Sequence, residues 1–126
     1  MKVKLIKNKV NSNKDIIMMN SDTSELLKIG QNYYVFAISI ELEGVYFYLF
    51  DNFYLFPVPS QMFEIVESDI PVQWKITNQD GTIFLCPDLF NEPYFYDRFS
   101  DHDISLVEKF KSLASEMYPQ LKYAKW

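Results

Sequence analysis

Hydrophobic and polar positions alternate most clearly between Tyr33 and Asn52, where the chain reads YYVFAISIELEGVYFYLFDN. Tyr34, Phe36, Ile38 and Ile40 fall on one face of an extended strand, and Tyr33, Val35, Ala37 and Ser39 on the other. In the second arm Val45, Phe47 and Leu49 alternate with Tyr46, Tyr48 and Phe50. Aromatic and β-branched residues suit a pleated, half-buried surface. Neither face is polar, so the pattern predicts a sheet covered at least in part on both sides. Glu43-Gly44 lies at the midpoint, where glycine can take the positive φ of a tight hairpin turn.

The flanking segments extend this picture. Lys2 to Ile6 alternates lysine with Val3 and Leu5, which predicts a short strand. It is expected to pair with the apolar run Ile16–Met19, its lysines marking an edge. Ser21–Ser24 is a helix-start signal for one turn near Leu27. Phe53–Phe56 reads as a strand, and Pro57 and Pro59 end it or confine it to an edge. Phe63–Val66 is a further strand. Trp74–Thr77 and Thr82–Leu85 flank Asn78-Gln79-Asp80-Gly81, a four-residue hairpin loop. Asp88 to Phe95 reads as a loop with a helical turn, limited by Pro93. Ile104, Val107, Phe110, Leu113, Ala114 and Met117 then form an apolar stripe, predicting a helix over 101–118 that Pro119 ends. Ser105 and Glu108 read as a capping box, with Ser100 or Asp103 as alternative caps. Tyr123 and Trp126 in the tail are candidates to pack back.

Composition sets limits on this outline. A chain of 126 residues, 48% hydrophobic and 17% aromatic, suggests one domain with a core that needs no disulfide. No apolar run approaches the ~20 residues of a spanning helix, and no long apolar segment follows the N-terminal lysines. With a single cysteine, these features predict a cytoplasmic protein without a membrane partner. The net charge of −5 is unevenly spread: residues 1–28 carry +3, residues 29–97 carry −9 and residues 98–126 carry +1. Seventeen of the 22 aromatics share the acidic stretch, so the predicted sheet is also the negative part of the chain. Such a field repels nucleic acid and attracts basic partners. Solubility alone also accounts for a net charge of this size.

Candidate chemistry is sparse. His102 lies between Asp101 and Asp103, as an oriented base or metal ligand would. One histidine supplies no second ligand, and acids at a helix start are explained by the macrodipole. Cys86 precedes Pro87 in negative surroundings that raise a thiol pKa, which fits a structural cysteine better than a nucleophile. Glu64 and Glu67, three apart on a strand, are expected on opposite faces, and Glu41 and Glu43 on one face beside the turn. Three glycines leave no phosphate-binding loop. No catalytic residue, metal site or cofactor is assigned. Surplus tyrosines are the remaining feature, because buried rings with bonded hydroxyls are favoured at interfaces.

The stretches LKIGQNYYVFAI, GVYFYLFDN, FPVPSQMFEIVESDIPVQW and PYFYDRFSDHD carry a resemblance. Across residues 27–112 the chain resembles small uncharacterised bacterial proteins, some of them encoded beside polymorphic toxins and similar to immunity proteins. The motifs involved are Leu27-x-x-Gly30-x-x-Tyr33 and Phe63-Glu64-Ile65-Val66-x-x-x-Ile70-Pro71-x-x-Trp74. They carry no catalytic residue. The first half also resembles an SH3-like barrel.

The expected fold is therefore α+β. Residues 1–26 form an N-terminal hairpin and turn extension. Residues 27–86 form a strongly bent antiparallel sheet or SH3-like barrel, and residues 87–126 a loop and a helix packed on it. The expected core includes Val35, Ala37, Phe47, Leu49, Ile65, Trp74, Phe84, Leu106, Phe110 and Leu113. The expected function is non-enzymatic: an immunity-type module, monomeric or homodimeric, that occludes a basic protein partner such as a toxin domain. Its binding residues would be the acids Glu41, Glu43, Asp51, Glu64 and Glu67 and the tyrosines Tyr46, Tyr48, Tyr54, Tyr94 and Tyr96. Two other readings stay open. One is a ligand-binding domain or small enzyme using an aromatic cleft with Cys86, His102 or Asp103. The other is a self-associating structural subunit.

Overall fold

In the computed structural model, which describes residues 1–7, 27–51 and 54–123 (backbone only at Asp51 and Tyr123), the long strand expected from Tyr33 onward is broken in two. Strand β1 (Lys2–Leu5) pairs with β2 (Asn32–Tyr34); β3 (Ala37–Glu41) belongs to another sheet. The switch falls between two adjacent residues. The Val35 N–H donates to the Met1 carbonyl on the β1 side, and the Phe36 N–H donates to the Tyr48 carbonyl on the other. Val35, Phe36 and Ala37 are all buried, because a bend between two sheets turns both faces of the chain inward.

The larger sheet has the order β5-β4-β3-β8-β7, with β4 at Gly44–Asp51, β5 at Tyr54–Pro59, β7 at Trp74–Gln79 and β8 at Thr82–Pro87. The smaller has the order β2-β1-β6, with β6 at Phe63–Glu67. All pairings are antiparallel, and both sheets are open, so the barrel alternative gives way to two sheets. A 3-10 turn at Ser60–Met62 carries the chain from β5 to β6. As its prolines require, β5 is an edge: residues two apart direct their N–H groups to the same side, so Pro57 and Pro59 remove donors from one edge only. Strand β1 is the correction here. It is the centre of its sheet rather than an edge, with Val3 and Leu5 buried and the lysines outward. Its expected partner, 16–19, lies outside the described residues, as do the helix start at 21–24, Phe53 and Trp126.

Helix α1 (Phe95–Ser100) and helix α2 (Ile104–Met117) follow a 3-10 turn at Asp88–Asn91. The expected helix thus starts later and has a short helix before it. Asp103 caps α2, accepting the Leu106 N–H at 3.3 Å, so Ser105 is already inside the helix and forms no capping box. Leu106, Phe110, Ala114 and Met117 form the buried stripe, and Pro119 follows the end. Each large apolar side chain so buried contributes about 1.5–3 kcal/mol.

The helices cover one face of the five-stranded sheet. Tyr48 meets Tyr96 at 5.7 Å between ring centroids, and Phe50 meets Phe99 at 6.0 Å and Phe110 at 5.1 Å. The smaller sheet covers part of the opposite face, where Phe47 meets Phe63 at 5.9 Å. The result is a single core cluster drawn from both sheets and both helices. Val35, Ala37, Phe47, Leu49, Trp74, Leu106 and Phe110 are buried in it as expected, and Phe84 and Leu113 pack partly buried against it. Ile65 is not core: on the β6 edge it is 52% exposed. Among the described residues no helix is long and apolar enough to cross a membrane.

Candidate functional site

The hairpin turns lie at one end of the larger sheet because register places them there. Glu41 pairs with Gly44, so Leu42 and Glu43 are the turn between β3 and β4. Gly44 is not a central turn residue as expected; it opens β4 at a φ of +152°. Gln79 pairs with Thr82, which shortens the expected four-residue loop to Asp80-Gly81. Both residues take positive φ, 52° and 88°, the pattern of a type I′ turn. Ile40 pairs with Ile83, which brings the second turn beside the first. Glu41, Glu43 and Asp80 therefore lie at the same end of the sheet as Leu42, itself 99% exposed. Among the described residues no ion pair involves these three carboxylates. Strands β3, β4, β5 and β8 contain no lysine or arginine. Lys75 of β7 is held by Asp88 at 2.8 Å. Asp80 went unnoticed in the sequence because its place beside Glu41 depends on the long-range pairing of β3 with β8.

Glu64 and Glu67 are a different case. The alternation rule places them on opposite faces of β6, but a bulge lies between them. Lys2 pairs with Glu67, Val3 with Ile65 and Lys4 with Glu64, so Val66 is the extra residue. Both glutamates consequently share the outer face with Lys2 and Lys4. Lys2 Nζ lies 3.4 Å from Glu67 and 5.2 Å above the Tyr34 ring. Cross-strand lysines offset these two acids, which leaves the hairpin end as the less compensated negative surface.

The expected tyrosine anchors are mostly inside. Tyr46 is buried, and Tyr48 on β4 and Tyr96 on α1 are half-buried against each other. Burial pushes the hydroxyl pKa of Tyr48 up, and that of Tyr96 far up, so both stay protonated. Tyr54 and Tyr94 are exposed; Tyr94 precedes α1 in the left-handed region at a φ of 58°. Asp51 ends β4, and its side chain is outside the described set. The ten expected binding residues thus do not form one patch. Glu41 and Glu43 lie at the hairpin end, Glu64 and Glu67 on the outer face of the smaller sheet, and Tyr46, Tyr48 and Tyr96 are wholly or partly buried.

The residues considered for catalysis have structural surroundings. Desolvation, then the Asp88 charge, pushes the Cys86 thiol up to about 11, and its Sγ lies 3.8 Å from Asn91 Oδ1. Asp103 Oδ1 accepts from Leu106, and its Oδ2 accepts from Arg98 Nε at 3.0 Å. Arg98 also reaches Glu92 at 3.4 Å, clasping the entry to α1 and the start of α2. His102, exposed between the helices at a φ of 58°, has its ring 6.4 Å from that of Tyr54. An aromatic cleft exists at Tyr33, Tyr34, Phe36 and Phe50, with a volume of 210 Å³. That is below the ~300 Å³ at which ligand pockets usually begin. A second cleft, 350 Å³, lies between the segment Asp69–Gln73 and the end of α2, with Glu67, Asp69 and Glu116 in its wall.

No family model, curated protein or solved structure matches the chain.

Proposed function

We propose that this protein is a non-enzymatic binding module of the immunity type, which neutralises a basic protein partner, such as a toxin domain, by occlusion. The observation that carries this reading is the hairpin end of the larger sheet. Three carboxylates and an exposed leucine share that end, and no cation lies on the neighbouring strands β3, β4 and β8. Unscreened charge of one sign accelerates encounter with a partner of the opposite sign and sets its orientation. Acids at the tip of a stiff hairpin are well placed for this, because ordering them on binding costs little. The raised thiol of Cys86 and the structural engagement of Asp103 favour this reading over catalysis.

A pull-down with the full chain from cells that produce it, at low and at high salt, tests the reading. The expected result is a basic protein retained at low salt and released as salt rises. Recovery of no protein at low salt would remove the proposal.

A further inference from the structure

One face of the five-stranded sheet is only partly covered. Near β6 it is closed by Phe63, and among the described residues no element covers it toward the hairpin end. Cross-strand register aligns its side chains in two rows. Val45, Ile40 and Ile83 form one, and Phe47, Ile38, Leu85 and Ile76 the next. Ile76 is 71% exposed, Ile40 43% and Val45 37%. Apart from the buried Phe47, these side chains are aliphatic, and the register carries them across β4, β3, β8 and β7. Such a patch marks an association surface more often than scattered exposed residues do.

Resting on the binding reading above, we infer that this aliphatic sheet face is the docking surface, and that its occupant is a protein surface with an apolar centre bordered by lysine or arginine. The charge pattern selects that occupant. The patch ends at the two hairpin turns that carry Glu43 and Asp80, and Glu41 stands at the same end on the opposite face; β3, β4 and β8 carry no cation. An acidic partner would meet like charge at this border. A basic one gains Coulomb attraction there while its apolar centre covers the sheet. Aliphatic side chains held by a sheet lose little rotamer freedom on docking, since valine and isoleucine are already restricted at χ1. The anchors are thus these aliphatics rather than Tyr46, Tyr48 and Tyr96, which the fold buries wholly or in part, or the exposed Tyr54 and Tyr94, which lie outside the patch.

The test uses the full chain with a photo-crosslinking benzophenone side chain in place of Ile76. Ile65 on β6 and Ile104 on α2, both exposed, serve as separate control positions. Irradiation is done in an extract of the producing cells at low salt and at about 1 M salt, where the Debye length is about 3 Å. The expected result is an adduct with another protein at position 76, about tenfold above either control, joined through a lysine- or arginine-rich peptide. It should fall about tenfold at high salt and likewise when Glu41→Lys and Glu43→Lys are added. An adduct at position 76 that ignores salt would mean a partner without the basic border, and would overturn the inference. So would an adduct between two copies of this chain, or one to residues 8–26 of the same chain. Preferential adducts at 65 or 104, or none at any position, would place the partner elsewhere. The pull-down then shows whether the binding reading stands without this face or goes with it.

Discussion

Phe110 is the residue on which most of the core converges. Fully buried on α2, it meets Phe36 at 5.3 Å, Phe50 at 5.1 Å and Phe99 at 5.1 Å. Phe110→Ala should cost about 3–5 kcal/mol, because the surrounding rings of Phe36, Phe50 and Phe99 cannot all collapse into the space left. Chemical denaturation would show this as a lower midpoint with an unchanged slope. At Cys86 the raised thiol predicts slow labelling by a thiol reagent at neutral pH in the folded protein and fast labelling once denatured. Rapid labelling in the folded state would return Cys86 to the list of reactive groups. Asp103 gives a pH dependence of definite sign. The Leu106 N–H, then Arg98, hold its carboxyl below the ordinary value of 3.8. The folded state therefore binds this proton less readily than the unfolded state. Its contribution is fully present above the unfolded value and is lost as pH falls through the folded one. Melting from about pH 7 down to about pH 3 should fall more steeply in the wild type than in Asp103→Asn, which keeps a capping oxygen without the titration.

At the scale of elements, local signals located the elements, though not every cap and turn residue, and non-local pairings stayed hidden. The proline-marked edge β5, the α2 stripe and both hairpins were legible, because each depends on residues within one or two turns of each other. The bend at Val35-Phe36 was not. An uninterrupted alternation is the same whether a strand runs straight or passes from one sheet to another, and only the partners of its N–H groups reveal the change. The bulge at Val66 was hidden for the same reason, since it exists only relative to β1. Turn chemistry shows the local rule at its best. Asp-Gly supplies both positive φ values that a two-residue hairpin needs. At Gly81 an added Cβ would meet nothing within 4 Å, so Gly81→Ala is a purely conformational change. It should cost about 1 kcal/mol through the φ of 88° alone. A thermal melt that matched the wild type would mean that the turn relaxes to another type.

At the scale of the whole molecule, the sequence revealed that the sheet region is acidic but not which acids act together. The alternation sets Glu41 and Glu43 together at the hairpin and Glu64 and Glu67 on opposite faces. Folding sets Glu64 and Glu67 opposite Lys4 and Lys2, and joins Glu41 and Glu43 to Asp80 at the hairpin end. This division gives a prediction with an internal control. With the partner recovered by pull-down, Glu41→Lys with Glu43→Lys should slow association by about tenfold at low salt and change dissociation less. Stability should stay within about 0.5 kcal/mol, as for other exposed substitutions. Glu64→Lys with Glu67→Lys carries the same change in net charge. It removes two cross-strand pairs worth about 0.2–1 kcal/mol each, so it should lower stability while slowing association less. The measurement is a salt series of association rates on wild type and both double variants. If the two variants slowed association equally, net charge alone would steer the encounter, and the hairpin end would have no special part in it. If neither did, and salt had no effect, the acids would serve solubility, and the binding reading would lose its electrostatic support.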